Sequence, residues 1–183
     1  MAYFEIKANP VLWTPEKPKL YDVIIDKADE SIVDKIGFRT IQTVNKDIFL
    51  NGESIFLKGI SVHDENPLLQ GRLRSEGDMR MILTWAKELG CNYIRLAHYT
   101  HNEAMLRLAD EVGLLVWAEV PVYWTISWSN PETYKNAENQ LVVGIERDKN
   151  RACIAIWSVG NETPISNERN IFMGKLIDKV RSI

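Results

Sequence analysis

Short apolar runs separated by turn-forming residues occupy the first fifty positions of the chain. The runs cover residues 3–8, 20–25 and 36–44, and Pro10, Pro15 and Pro18 interrupt the stretch before the second run. No helical period is sustained, and acidic residues flank the apolar positions 23–25, which is typical of a strand in an antiparallel sheet. Three strands are too few to close a sandwich or barrel, so we predict that residues 1–50 form the end of a β domain.

From residue 51 onward, strand-like and helix-like patterns alternate. Apolar runs predict strands over residues 54–62, 91–96, 114–118 and 154–159. Helices are predicted over residues 75–89, 102–112, 130–149 and 166–180, because apolar residues recur there at helical spacing. Asn102 and Ser166 can cap two of the N-termini, and Gly90 and Gly113 can end the first two helices. Four strand–helix units in succession predict a parallel sheet with right-handed crossovers.

The number of these units indicates half of a barrel. A complete (β/α)8 barrel takes about 250 residues, roughly twice the length of the segment from residue 51 to residue 183. We therefore predict an α/β fold with half of a TIM-type barrel, and a small open α/β domain is the alternative. The sequence contains neither the glycine-rich turn of dinucleotide-binding folds nor the phosphate-binding loop motif, which argues against nucleotide binding.

Composition and charge exclude several classes of partner. The 183 residues include 22 Lys and Arg against 25 Asp and Glu, so a net charge of −3 gives no general attraction to nucleic acid or anionic membranes. No apolar run approaches the ~20 residues of a membrane span, and the first residues lack the pattern of a secretory signal. We therefore expect a soluble protein, cytoplasmic or periplasmic, that binds neither nucleic acid nor membranes.

Ionisable side chains lie at or just beyond the ends of all four predicted barrel strands. His63 follows the first strand, Arg95 and His98 belong to the second, Glu119 to the third and Glu162 to the fourth. The carboxyl ends of parallel strands meet at one face of a sheet, so these side chains are predicted to converge on a functional site. Polar strand ends that are merely solvated are the alternative.

Glu162 is the strongest candidate for acid–base chemistry. An apolar strand leads directly to it, so we expect a partly desolvated carboxyl that can donate a proton, with Glu119 beside it if the two strands are adjacent. Capping of the next segment or pairing with an arginine is the structural alternative. Tyr123 and Trp124 follow Glu119 and can stack on the apolar face of a sugar, or pack in the core. Aromatic residues beside carboxylates favour a carbohydrate ligand over a phosphate.

No metal or cofactor site is predicted. His63, His98 and His101 lack zinc-binding spacing and are better suited to hydrogen bonds with substrate hydroxyls. Cys91 and Cys153 lie inside apolar runs and belong to no paired cysteine motif, so we expect both to be buried free thiols.

Several ordered motifs resemble glycoside hydrolase family 2, which includes β-galactosidases, β-glucuronidases and β-mannosidases. The resemblance runs from about residue 13 to the end, and its main motifs are GFR at 37–39, FLNG at 49–52, NYIRLAHY at 92–99, LADEVGLLV at 108–116, RDKNR at 147–151 and IWSVGNE at 156–162. It implies an immunoglobulin-like β-sandwich, of which residues 1–50 are the last strands. Residues 51–183 are then the N-terminal half of a catalytic TIM barrel.

The resemblance assigns roles to six of the eight candidate residues. Glu162 corresponds to the general acid/base, and Asn161 to the residue that hydrogen-bonds the sugar 2-hydroxyl. Arg95 corresponds to the arginine that orients the nucleophilic carboxylate. His63 and His98 correspond to residues that line the sugar pocket, and Glu119 corresponds to an acid beside them. Tyr123 and Trp124 remain substrate-binding candidates on the stacking argument alone.

The resemblance also implies what this segment lacks. Members are retaining enzymes, in which a second glutamate attacks the anomeric carbon while the acid/base protonates the leaving oxygen and later activates water. That glutamate belongs to a seventh strand, so we expect this chain to be part of a longer exo-β-glycosidase, inactive alone and prone to self-association. Residues 123–125 replace a metal-binding Glu-x-His of some members, so no magnesium is expected there. A non-catalytic carbohydrate-binding or interaction module derived from this fold is the alternative.

Overall fold

The structure is a computed structural model that describes residues 5–27 and 30–183. This part of the chain forms nine strands and four helices. In chain order the elements are β1 Tyr21–Lys27, β2 Glu30–Ile36, β3 Ile41–Val44, β4 Asp47–Leu50, β5 Glu53–Ile55, β6 Gly59–Val62, α1 Glu76–Glu88, β7 Tyr93–Leu96, α2 Glu103–Val112, β8 Leu115–Glu119, α3 Pro131–Asp148, β9 Ile154–Ser158 and α4 Asn167–Arg181.

The strands β6, β7, β8 and β9 form one parallel sheet in chain order. Helices α1, α2 and α3 connect successive strands, and α4 follows the last one. This succession of four βα units is half of a TIM-type barrel, so the predicted fold class is confirmed. The register pairs Arg95 with Trp117 and Glu119 with Ser158, which sets these four side chains at the carboxyl end of the sheet.

Local capping signals fix the helix ends close to the predicted positions. Ser75 and Asp78 form a reciprocal capping box at the start of α1. The side chain of Asn102 accepts a hydrogen bond from the amide of Ala104 at 2.9 Å and caps α2. Gly113 ends α2 with a φ of 81° in the left-handed region. A side chain is excluded there, because a Cβ would lie 2.4 Å from the carbonyl oxygen of Pro15.

The first part of the chain contains two antiparallel sheets, one of β1 and β2 and one of β3, β4 and β5. The predicted strand over residues 20–25 is confirmed as β1. The prediction of a single strand over residues 36–44 is wrong, because β2 and β3 belong to different sheets. Tertiary contacts cause the break: a Cβ on Gly37 would lie 2.8 Å from the Cβ of Ala152, and Arg39 donates to the carbonyl oxygens of Ala152 and Ile154.

Two further predicted strands differ from the structure. Tyr3 and Phe4 of the predicted strand 3–8 lie outside the described residues, and residues 5–8 have no regular secondary structure. The prediction of one strand over residues 54–62 is wrong, because β5 and β6 are separate. The side chain of Asn92 explains the interruption: it accepts from the Lys58 amide at 2.8 Å and donates to the Phe56 carbonyl oxygen at 3.0 Å.

The main core lies between the parallel sheet and helices α1 and α2. Its fully buried members include Leu83, Ile94, Leu106, Leu114, Leu115 and Val116. Trp13 joins this core from the segment before β1, and its indole N–H donates to the carbonyl oxygen of Asp110 at 2.8 Å. Asp34 of β2 forms ion pairs with Arg107 of α2 and with Arg151. The Trp13 hydrogen bond and the two Asp34 ion pairs hold the first part of the chain against the half barrel.

Among the described residues, no helix is both long enough and apolar enough to span a membrane. Cys91 and Cys153 are buried and free, as predicted.

Candidate active site

All eight predicted site residues come together at the carboxyl end of the parallel sheet. Arg95 and Glu119 belong to strands β7 and β8, and the others lie in the segments that follow each strand. A continuous series of contacts links them.

Glu119 is the centre of the hydrogen-bond network. Its side chain is fully buried. Oε1 contacts Arg95 at 3.0 Å and His98 at 2.8 Å. Oε2 contacts Arg95 at 2.8 Å, the Trp117 indole at 3.1 Å and the Ser158 hydroxyl at 2.9 Å. Five contacts fully occupy a carboxylate that offers about four lone-pair sites. Glu119 therefore has no surface to present to a ligand, and it holds its neighbours in position.

Arg95 connects the second, third and fourth strands of the half barrel. Besides its contacts with Glu119, the guanidinium donates to Oδ1 of Asn161 at 2.7 Å and lies over the Trp117 ring at 4.8 Å from its centre. Because Oδ1 of Asn161 is thereby fixed as an acceptor, the Asn161 amide group is oriented. The Nε atom of Arg95 is buried and has no hydrogen-bond partner within the described residues.

His98 is held in one orientation by the buried carboxylate. Oε1 of Glu119 accepts from Arg95, so we assign it as the acceptor of its 2.8 Å contact with His98 as well, which places the hydrogen on Nδ1 and leaves Nε2 for another partner. The His63 ring packs against the His98 ring at 5.2 Å in an edge-on arrangement. Tyr99 supports His63: its hydroxyl lies 3.4 Å from Nδ1 of His63 and accepts from the Asp64 amide at 3.2 Å.

His101 does not belong to this group, although the sequence analysis placed it with the other two histidines. It is buried, contacts the carbonyl oxygen of Ala97 through Nε2 at 3.0 Å, and stacks on Tyr99 at 5.2 Å. Burial lowers the pKa of His101. A neutral, enclosed imidazole of this kind supports Tyr99 and is out of reach of a ligand.

Glu162 lies beside the aromatic pair of Tyr123 and Trp124. The Trp124 indole donates to Oε2 of Glu162 at 3.1 Å, and the Tyr123 and Trp124 rings meet edge to face at 5.7 Å. Tyr123 also approaches the His98 ring at 6.4 Å, which closes the series of contacts. Glu162 is exposed, so the predicted partial burial is wrong. Its strand ends at Ser158, and residues 159–161 separate Glu162 from the end of that strand.

Sequence reasoning missed three contributors to the site, namely Trp117, Ser158 and Tyr99. Trp117 lies two positions before Glu119 in a strand, so strand periodicity alone places both side chains on one face. Ser158 required the β8–β9 register, which a single sequence does not reveal.

Below Arg95 on the same face of β7, burial raises the pKa of Tyr93 to about 12, so this phenol stays protonated.

No three potential metal-binding side chains come together within residues 5–27 and 30–183. The site combines an exposed carboxyl, Glu162, with a group of hydrogen-bond donors and aromatic rings.

Comparison with known proteins gives consistent matches. A family model described as "Glycosyl hydrolases family 2, TIM barrel domain" matches residues 41–183, and one described as "Glycosyl hydrolases family 2" matches residues 3–39. A putative beta-glucuronidase of Formosa agariphila is 34% identical over 170 residues, which are 87% of this chain and 20% of the relative. A beta-galactosidase of Arthrobacter sp. is 34% identical over 160 residues, which are 82% of this chain and 16% of the relative.

Solved structures agree with these matches. The crystal structure of a GH2 beta-galacturonidase from Eisenbergiella tayi, bound to galacturonate, superposes with a TM-score of 0.86 at 31% identity, covering 94% of this chain and 31% of that one. Beta-glucuronidase 3 of Bacteroides uniformis superposes with a TM-score of 0.83 at 30% identity, covering 94% of this chain and 24% of that one. The chain thus spans a fifth or less of the two curated relatives.

Proposed function

This chain belongs to glycosyl hydrolase family 2, and on that premise we propose that it supplies the general acid/base and part of the sugar-binding site of a retaining exo-β-glycosidase. The observation that carries the proposal is the position of Glu162. Its carboxyl is exposed at the mouth of the half barrel, directly after Asn161, whose side chain is held by Arg95. An acid/base needs this combination of access to substrate and fixed surroundings.

In the proposed mechanism, Glu162 transfers a proton in each of two steps. It first donates the proton to the glycosidic oxygen while an attacking carboxylate from outside residues 1–183 forms a bond to the anomeric carbon. The departing alcohol takes that proton, and Glu162 is left ionised. It then removes a proton from a water molecule, which attacks the anomeric carbon and releases the sugar with retained configuration.

The remaining residues are proposed to bind and orient the sugar. Because Oδ1 of Asn161 accepts from Arg95, its Nδ2 amide group is the donor available to the sugar 2-hydroxyl. Nε2 of His98 is available in the same way, since Nδ1 is engaged by Glu119. The unpartnered Nε of Arg95 suits a contact with the attacking carboxylate. Tyr123 and His63 line the same mouth.

We propose β-linked glucuronic acid, galacturonic acid or galactose as the sugar class. The relatives and solved structures reported above are beta-glucuronidases, beta-galactosidases and a beta-galacturonidase. Substrate screening therefore begins with the β-D-glucuronide and β-D-galactoside series.

The test is Glu162→Gln in the enzyme that carries this chain. We expect kcat/KM to fall about 10²- to 10⁴-fold for methyl β-glycosides, whose leaving group needs protonation. For 2,4-dinitrophenyl glycosides kcat/KM should hardly change, and added azide should raise kcat because azide attacks without losing a proton. Glu168→Gln, at an exposed position in the first turn of α4, is the matched control and should leave both rates unchanged.

Two results would contradict the proposal. Equal losses for both leaving groups, with no effect of azide, would mean that Glu162 is not the acid/base. Sugar binding without any turnover by the unaltered enzyme would favour the non-catalytic binding module instead.

A further inference from the structure

Trp124 and Glu162 occupy equivalent positions on two segments that extend the parallel sheet beyond β8 and β9. Tyr123 and Asn161 form an isolated parallel bridge. The amide of Asn161 donates to the Val122 carbonyl oxygen at 2.9 Å, and the amide of Trp124 donates to the Asn161 carbonyl oxygen at 3.2 Å. The residues that follow the bridge are therefore in register, and they are Trp124 and Glu162.

Both residues have a left-handed backbone, with a φ of 53° at Trp124 and 47° at Glu162. This region is unfavourable for residues other than glycine. It persists where surrounding structure imposes it, and such residues cluster at functional sites. The surroundings are tight here, because a Cβ added to Gly160 would lie 2.6 Å from Cε of Met173 and 3.0 Å from the Val122 carbonyl oxygen. Two matched turns thus direct an indole and a carboxyl toward each other.

The contact between the two side chains is a single, oriented hydrogen bond. The Trp124 indole N–H donates to Oε2 of Glu162 at 3.1 Å. It is the one side-chain donor that contacts this carboxyl among the described residues. An indole nitrogen can only donate, so Oε2 must be the acceptor. The carbonyl oxygen of a protonated carboxyl is its better acceptor, so this bond favours the proton on Oε1, for which the described residues supply no hydrogen-bond partner.

We propose that Trp124 is a positioning residue for the acid/base, in addition to any stacking on the sugar. Its indole N–H fixes the carboxyl plane of Glu162 and selects Oε1 as the oxygen that delivers the proton to the glycosidic oxygen. This inference rests on the proposed function of Glu162. It differs from a stacking role in its consequence, because stacking strengthens binding of every substrate alike. Positioning matters only for substrates whose leaving group needs the proton.

The test removes the N–H and keeps the shape of the ring. Trp124 is replaced by 3-benzothienylalanine, in which sulfur stands in for the N–H, and kcat/KM is measured for methyl and 2,4-dinitrophenyl glycosides in the full-length enzyme. We expect a loss of about five- to tenfold for the methyl glycoside, the size of one lost hydrogen bond. The dinitrophenyl glycoside should lose less than about twofold, since its first step needs no proton.

The same replacement at Trp128 is the matched control. Trp128 lies in the same loop, and its indole N–H makes no hydrogen bond within the described residues, so neither rate should change. Trp124→Phe adds a second comparison, because it also shortens the ring and should lower kcat/KM for both substrates if the ring stacks on the sugar.

Each possible result either supports the inference or overturns it. Equal losses for the two leaving groups at position 124 would assign Trp124 to stacking alone, and no loss for either would leave it without a role; both results overturn the inference. Glu162→Gln distinguishes a failure of this inference from a failure of the proposed function. If Glu162→Gln shows the leaving-group dependence and the Trp124 replacement does not, only the inference is wrong. If neither shows it, both are wrong.

Discussion

Replacing Glu119 with Gln removes one charge and one acceptor from the centre of the site while keeping the shape of the side chain. The new NH2 group must face hydrogen-bond donors whichever way the amide turns. In the position of Oε2 it meets Arg95, Trp117 and Ser158, and in the position of Oε1 it meets Arg95 and His98. The second orientation costs less, because a neutral His98 can move its hydrogen to Nε2 and accept at Nδ1.

The expected loss of stability follows from the state of Arg95 in this variant. Removing one partner of a buried ion pair costs about 3–5 kcal/mol, since the remaining charge is left uncompensated. The Arg95 side chain retains 22% exposure and its contact with Asn161. We therefore expect the lower end of that range, a decrease of about 3 kcal/mol in the free energy of unfolding.

Two measurements check this reasoning. Urea unfolding gives the change in stability, and nitrogen-15 NMR of His98 reports which ring nitrogen carries the hydrogen. Glu111→Gln is the control, because Glu111 pairs with Arg80 at 2.6 Å on the surface, where both side chains are more than a third exposed. Such exposed pairs contribute less than about 1 kcal/mol. If Glu119→Gln unfolds like the control and His98 keeps its hydrogen on Nδ1, Glu119 does not hold the site together.

Asp110 and the exposed apolar residues of β1 and β2 give two further predictions. Burial raises the pKa of Asp110 to about 6, from 3.8 for the free group, so the folded state binds the extra proton between about pH 4 and pH 6. The free energy of unfolding should therefore fall by about 3 kcal/mol as pH rises through this window, and urea midpoints of Asp110→Asn should lack that part of the pH dependence. The 183-residue chain should also self-associate through the apolar residues exposed on the β1–β2 hairpin, namely Ile24, Ile25, Ile32 and Val33. Light scattering checks this, and a monomer at every concentration would contradict it.

The half barrel could be predicted from sequence because its signals are local. Asn102 and Gly113 mark the two ends of α2 through contacts within a few residues, and β8 and β9 are nearly continuous apolar runs. The same reasoning does not predict all the strands of the first fifty residues. There the path of the chain depends on Arg39, Trp13 and Asp34, whose partners lie about a hundred positions away. Apolar runs alone do not show where one strand ends and another begins.

The sequence predicts which residues form the candidate site, but it does not predict how they contact one another. Strand ends place the ionisable residues on one face, which required only the succession of βα units. The separation of Glu119 from Glu162 required the register of β8 with β9 and the two left-handed turns beyond it. A single sequence contains no clear signal for this register or for a positive φ at a tryptophan and a glutamate.

The contrast between the two carboxyl groups explains why one of them is suited to move a proton. Glu119 is enclosed and its oxygens receive five contacts, so a proton on either oxygen would displace a donor that holds Arg95, His98 or the strand register. Glu162 is exposed and receives one side-chain hydrogen bond from the described part of the chain, on Oε2. Its other oxygen can gain and lose a proton without disturbing any neighbour. We therefore propose separate tasks for the two glutamates: the buried one at the end of β8 fixes the geometry of the site, and the exposed one beyond β9 takes part in the chemistry.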